Sequence, residues 1–495
     1  MKKKRNLIIV AVIAAVLVGV MLLLLFLPKS CDPGSDSSAA TGDEAEVVQL
    51  STDSKGVHQV KITDEKKASG GDAEVTGTLI EYTPAQLKKI HVENKQGSFD
   101  VTANTPEGEA TVYTLVGYED FDLQTGAPDS IANAAARLEF SMLAGLDDGS
   151  SDFGFDDPRS VVTVEYTDGT KSVFTLGKDA PQDKGTYAKF GDSDEIFVVN
   201  SHTVAAFDFG VTDLISLTIN NSAEDEENAR ASEININANG ENIRLVPNTE
   251  DNLNGSYFLT EPVKVIAGES ESSKIEGGIR GLYADKVVMV NPSSGQLANL
   301  GLSEPYASIE AVYPDVTVAL SASKPDSEGK INLMVDGGKV VYTLSAEKAA
   351  WVTTSREKLK GDYVLSPKMT ALKTMNINDT KLDLSSREST VTDDQGSETT
   401  TTVTTVFRGT EELQLENFSP FFDEAAMIAL ADDKAENPSG KAALTISYTY
   451  ADGSSDKAEF YEVSDNRYVA VLNGKAIGHA RKSDITRVLD DLKKL

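Results

Sequence analysis

The chain has 495 residues, 40% hydrophobic and 25% charged, enough for roughly three packed domains. Its 78 acidic and 46 basic residues leave a formal net charge of −32, which repels phosphate backbones and argues against nucleic-acid binding. The single cysteine, Cys31, rules out an intramolecular disulfide, a pattern that suits an exported bacterial protein better than a eukaryotic secretory one.

The N-terminus carries the strongest signal. Lys2, Lys3, Lys4 and Arg5 precede an uncharged apolar run from Leu7 to Leu27. Such a run is long enough to cross the roughly 30 Å hydrocarbon core as a helix. It exceeds the apolar core of a cleaved signal peptide and ends in Phe26, Leu27, Pro28 and Lys29, so a retained anchor is favoured over a cleaved leader. The basic cluster places the N-terminus in the cytoplasm and residues 28 onward outside it. Cys31 follows closely, as in lipoprotein signals, but Lys29 departs from their pattern, and an unmodified cysteine is the plainer reading. Residues 32 to about 75 are rich in Asp, Ser, Gly, Ala, Glu and Lys and read as a flexible acidic stalk, with Val57–Ile62 a possible stray strand.

Beyond the stalk the sequence repeats itself, and three copies of one unit are expected. Each opens with a hairpin of period-two alternation around a glycine turn: Ile90, Val92, Gly97, Phe99, Val101 in copy one, and Ile234, Ile236, Gly240, Ile243, Leu245 in copy two. A further strand follows (YTLVGY, then YFLTEPV). A helix comes next. Copy one offers residues 129–145, capped by Asp129 or Ser130, with Ile131, Ala134, Ala135, Leu138 and Met142 as its stripe. Copy two offers 271–284, and copy three 421–431. The second half is strands, with Asp168-Gly169 and Asp452-Gly453 as tight turns in copies one and three. Copy two carries an apparent insertion before INLMVDGGKVVYTLS, and AAWV reads as one of its last strands. Each copy then closes on a serine and a helix, with Ser201, Ser366 and Ser483 as N-caps and Pro367 at a first helical position. Ser201 and Ser366 falling at matching helix starts is the criterion for this register. In copy three, TKLDLSSREST pairs with TTTTVTTVFRG as the opening hairpin, and a docking helix ends the chain through Ile485, Val488, Leu489, Leu492 and Leu495.

These phrases resemble the bacterial family DUF4340, a domain of unknown function. The likeness is carried by KKIHVENKQGSFDVTAN, by VVTVEYTDGTKSVFTLGKDAPQDKGTYAKFGDSDEIFVVN and by the cap-and-helix segments. It is best over 80–215, fair over 230–372 and weak beyond. The resemblance implies a membrane-anchored exported protein whose gene sits beside ABC-transporter components, including those of the gliding-motility type. It brings no catalytic residues.

The chemistry in the residues is sparse. His58, His91, His202 and His479 are scattered and form no metal-ligand spacing. There is no Walker phosphate loop and no Gly-x-Ser-x-Gly elbow. No histidine tracks the three serines, so capping is preferred to nucleophilic catalysis. The acidic loop 147–157, with Asp147, Asp148, Asp152, Asp156 and Asp157, is a calcium candidate or a solvated loop; DNLNG (251–255) and DSDE (192–195) read as turns. Trp351 reads as core, and the recurring Tyr166, Tyr187, Tyr448 and Tyr468 read as core or rim packing in preference to ligand contacts. No catalytic, cofactor or metal residue is assigned.

The expected fold is α+β: an N-terminal transmembrane helix, then tandem repeats of mainly antiparallel sheet with one or two packed helices each. The expected layout is a basic tip (1–6), an anchor (7–27), a stalk (28–75), unit one (76–212), unit two (213–372) and a divergent unit three (373–495). The function expected is non-enzymatic: an accessory, partner-binding subunit of an ABC-transporter-type assembly, single-pass in the cell membrane. Alternatives are a cell-surface module for a small ligand or cell-wall polymer, and a hydrolase built from separated carboxylates.

Overall fold

The computed structural model describes residues 47–53, 56–66, 74–147, 149, 151–392, 398–434, 436–464 and 466–495. The expected anchor at 7–27 and Cys31 lie outside them. Among the described residues no helix is long and apolar enough to cross a membrane.

Unit one begins earlier than its sequence suggests. Strands β1 (Val47–Asp53), β2 (Gly56–Lys66) and β3 (Glu74–Glu81) pair antiparallel in turn. Residues 47–53 and 56–66 are therefore strand where the composition suggests flexible stalk. Then come β4 (Leu87–Asn94), β5 (Gly97–Asn104) and β6 (Val112–Leu115), helix α1 (Ala127–Ala136) and β7 (Arg137–Leu146). A four-strand meander closes the unit: β8 (Ser160–Tyr166), β9 (Lys171–Ala180), β10 (Gly185–Phe190) and β11 (Glu195–Val199). The sheet order is β1-β2-β3-β7-β11-β10-β9-β8-β4-β5-β6.

Unit two has β12 (Glu233–Ala238), β13 (Glu241–Pro247), β14 (Tyr257–Leu259) and β15 (Val265–Ile266), helix α2 (Glu269–Gly277) and β16 (Lys286–Val290). It ends with β17 (Ala307–Val312), β18 (Thr317–Ala322), β19 (Lys330–Val335) and β20 (Val340–Ser345), in the order β15-β14-β13-β12-β17-β18-β19-β20-β16. Unit three repeats this with β21 (Leu372–Ile377), β22 (Thr380–Thr392), β23 (Glu398–Arg408), β24 (Glu411–Leu413), α3 (Leu415–Ala426) and β25 (Leu430–Asp432). Its last strands are β26 (Leu444–Tyr450), β27 (Ser455–Ser464), β28 (Arg467–Leu472) and β29 (Lys475–Arg481), before α4 (Lys482–Leu492). The order is β24-β23-β22-β21-β26-β27-β28-β29-β25.

The three orders are one topology. The opening hairpin and its third strand build one flank of the sheet. A helix then carries the chain across the sheet, to the opposite edge in units two and three and in unit one to β7, beyond which β3, β2 and β1 extend the sheet, and the meander fills the middle, pairing its first strand with the first of the hairpin (β8 on β4, β17 on β12, β26 on β21). A connection across a sheet has to run over a sheet face, so the helix covers that face. Alternation supplies the apolar side beneath it: in unit one, Ile90, Val92, Val162, Val164 and Phe174 are fully buried with Ile131 and Ala135 of α1. Each such side chain contributes about 1.5–3 kcal/mol by leaving water. A buried tyrosine ties each crossing helix to its sheet near the helix C-terminus: Tyr166 donates to the Ala135 carbonyl at 3.1 Å and Tyr448 to the Ala425 carbonyl at 3.1 Å, and Tyr257 donates to the Glu276 carboxylate. Trp351 is fully buried and donates to the Gly278 carbonyl at 2.8 Å.

Several local expectations change. The helix expected over 129–145 stops at Ala136, because exposed Arg137, Glu139 and Ser141 alternate with buried Leu138 and Phe140, which is strand periodicity. The serine register fails. Asn200 is the cap in unit one, accepting from the His202 and Thr203 amides at 2.9 and 3.3 Å, and Ser201 is the first helical residue. The matching residue in unit two is Ser345, which accepts from the Glu347 amide; Ser366 lies in the approach to a 3-10 turn at Met369–Ala371. Ser483 is the second residue of α4, whose cap position is Arg481. Unit two has no insertion: AAWV lies in the 3-10 segment Ala346–Thr353, and β18, β19 and β20 complete the meander. In unit three the opening strand is β21, so the Thr-rich pair forms the second and third strands. The repeat therefore rests on topology rather than on the serines.

Phenylalanine at Tyr166 or Tyr448 leaves a buried helix carbonyl without its donor, at a cost of about 1–2 kcal/mol. Hydrogen exchange is expected to show faster opening of α1 or α3 respectively. Equal loss in unit two, read from Trp351 emission during urea unfolding, would mean that the units unfold as one.

Candidate functional site

The residues singled out in the sequence do not converge. Ser201 shares a 2.8 Å hydrogen bond with Thr186, which in turn donates to Asp179; Arg159 joins Asp179 to Asp208. Among the described residues the hydroxyl partner of that serine is Thr186. Ser366 accepts from the Asn254 amide, and Ser483 contacts Asp484. Tyr187 is half-buried and Tyr468 is buried. Glu424 of α3 and Asp491 of α4 form a carboxylate pair. Burial, with Asp491 adding to it, holds the Glu424 carboxyl above the usual range. The two groups touch across a helix interface, whereas glycoside hydrolysis needs carboxyls about 5–9.5 Å apart with sugar between them.

Two histidines are bracketed by carboxylates. His91 Nδ1 lies 2.7 Å from Asp100 and Nε2 lies 3.0 Å from Glu93, and the Glu93 contact leads in raising its pKa. His479 repeats this geometry with Asp432 at 2.7 Å and Glu436 at 3.0 Å, but is buried. Among the described residues no cluster of three or more His, Cys, Asp or Glu is placed to hold a metal.

The acidic loop 147–157 has a structural part. Asp147 pairs with Lys189 at 2.5 Å, and Phe153 accepts through its carbonyl from the Lys178 amide at 3.0 Å. The Phe153 ring stands edge-on to Tyr187 at 5.0 Å. A side chain at Gly177 would collide with the Phe153 carbonyl, so that glycine permits the close approach. The loop is thus a flap laid on the sheet face opposite α1. The aromatic residues in DDGSSDFGFDD were the available signal for this.

A polar site that sequence reasoning missed lies in unit two, beside its contact with unit three. A cavity of about 690 Å³ is lined by Asn254, Ser256, Glu269, Lys358, Tyr363 and Ser366 among others. A second of about 370 Å³ adjoins it, reaching Asp423 and Met427. Most of the polar groups are committed: Glu269 accepts from the Ser256 amide and hydroxyl at 2.9 and 2.6 Å, Lys358 donates to the Thr353 carbonyl and Lys360 to the Leu430 carbonyl. The DNLNG turn closes one wall, with Asn252 donating to Asp452 at 2.8 Å and Ser454 at 3.1 Å. This arrangement can seat a small polar ligand. Beside it, Arg356 of unit two pairs with Asp433 of unit three at 2.7 Å and also donates to the Glu261 and Val263 carbonyls.

Alanine at Arg356 leaves Asp433 half-buried and unpaired, at a cost of about 3 kcal/mol at the junction. Limited proteolysis is expected to cut within 360–372 much faster in that variant; an unchanged cleavage pattern would assign the junction's strength to apolar packing instead.

Residues 113–264 match the family described as Domain of unknown function (DUF4340). The matched stretch begins in β6 of unit one and ends just before β15 of unit two, so it covers one full period of the repeat in shifted phase. No curated protein matches the chain. With its likeness to DUF4340 carried by strand pattern and by this match alike, the chain is a DUF4340 domain-containing protein.

Proposed function

We propose that the protein is a non-enzymatic, membrane-anchored extracytoplasmic subunit that binds another membrane protein, in an assembly of the ABC-transporter type. The basic tip and apolar run at 7–27 support the tether, and the usual setting of the resembled family supports the kind of assembly. One observation in the fold favours partner binding. Among the described residues the β22–β23 ribbon pairs only with itself from Ser385 to Thr392 and from Glu398 to Thr405, since β21 engages β22 only up to Asp383 and β24 engages β23 only from Val406. Isolated two-stranded ribbons are marginal, and unpaired edges are what a partner strand adds to. The Thr run of its second strand, exposed from Thr399 to Val403, carries no charge in a strongly acidic chain.

The test is crosslinking in cells, affinity purification of the full-length protein and mass spectrometry. Recovery of ABC permease and ATPase subunits, lost when residues 76–495 are deleted, is the expected result. The 690 Å³ junction cavity favours a second reading, a surface module for a small ligand or cell-wall polymer. Recovery of cell-wall material or a small ligand, with no protein partner, would replace the first reading with this one.

A further inference from the structure

In all three units the connection between the strand after the helix and the first meander strand folds back over the sheet face opposite the crossing helix. Each makes a side-chain polar contact to a meander strand. In unit one Asp147 meets Lys189 of β10 at 2.5 Å. In unit two the Leu300 carbonyl accepts from Asn332 of β19 at 3.1 Å. In unit three Glu436 meets His479 of β29 at 3.0 Å. The meander strands there carry buried valines whose alternation points them away from the helix: Val198, Val341, and Val469 with Val471. Val469 stands directly opposite His479 in the β28–β29 ladder. Of the three pins only the third is an imidazole, the one side chain whose ordinary titration falls near neutral pH.

We propose that the β25–β26 connection is a pH-gated flap, pinned shut when His479 is an imidazolium bridging Asp432 and Glu436 and released from Glu436 when that ring loses a proton. The geometry requires two donors: both ring nitrogens face carboxylate oxygens, and a neutral imidazole carries one N–H. The surroundings decide which contact survives. Asp432 is largely buried, is also held by Arg467 of β28 at 2.9 Å, and accepts from the Lys434 amide at 3.1 Å. Glu436 is mostly exposed. The remaining N–H stays with Asp432, and the bare Nε2 lone pair then faces the Glu436 carboxylate. Val469, opposite in β28, contributes no charge, while Asp433 of the same flap is occupied by Arg356. Gly478 makes the seat: a side chain there would strike the Asp432 carbonyl.

The sign follows from the histidine. Burial opposes its charge, but Asp432 and Glu436 outweigh burial and hold its pKa above the ordinary value. The stabilisation is fully present below pH about 6.5 and is lost as pH rises through the folded-state pKa. Opening uncovers the Val469–Val471 strip.

The experiment is hydrogen exchange by mass spectrometry on the full-length protein from pH 5.5 to 9, corrected for intrinsic rates. Protection across residues 433–443 in the wild type is expected to fall about tenfold for each unit by which the His479 pKa is raised. Glu436→Gln, at an exposed position that leaves the core intact, is expected to make that protection independent of pH, and His479→Gln to do the same. An unchanged wild-type protection across the range, or a fall of the same size in Glu436→Gln, overturns the proposal.

Discussion

The helix that carries the chain across each sheet, from the hairpin flank to the far side of the meander, is the constraint on which the rest of the fold depends. It fixes which face is dry, and so which half of every alternating strand must be apolar. It sets the strand after it beyond the last meander strand, leaving the centre to the meander. The tyrosine bonds to the last turns of α1 and α3, and to the Glu276 side chain in α2, bring the helix down onto the sheet while satisfying polar groups that burial would otherwise strand. Three sequences that share little beyond alternation thereby reach one topology.

The opposite face follows from the same constraint. With the helix on one side, the connection that starts the meander can close only the other, and it does so as a flap near the post-helix strand. Aromatic rings and an ion pair fasten the first flap, an amide the second and a histidine the third. Arg356, reaching from unit two to the third flap, couples that flap to the junction of the units and to the cavity beside it. The pieces with functional promise, namely the junction cavity, the flap and the ribbon, are all places where the repeat departs from its neighbours.

Much of the sheet was legible because period-two alternation and Asp-Gly or Asn-Gly turns are local signals. The hairpins at 87–104 and 233–247, and the turns at Gly169 and Gly453, stand where the residues put them. Errors came where two patterns overlap. Alanines of α1 run into the alternation of β7, and a helical stripe through Leu138 and Met142 could be drawn across the boundary. The serines misled because Ser is common in caps and turns alike; an asparagine one residue earlier held the cap in unit one. The candidate site was invisible, since Arg356 and Asp433, or His479 and Glu436, are brought together only by chain reversal over tens of residues.

The sequence by itself determined the charge, the apolar N-terminal run, the α+β class and the presence of a repeated unit, because each depends on composition or on spacing within one or two elements. Only the tertiary structure decided that the repeat is a helix-crossed sheet of one strand order, that residues 47–53 and 56–66 are strands within that sheet, and that residues 151–157 of the acidic loop lie as a flap. Those outcomes depend on which strand edges meet and which face a connection crosses. Hydrogen bonding between distant strands and the burial of one face select them, and neither is written in any single window of the chain.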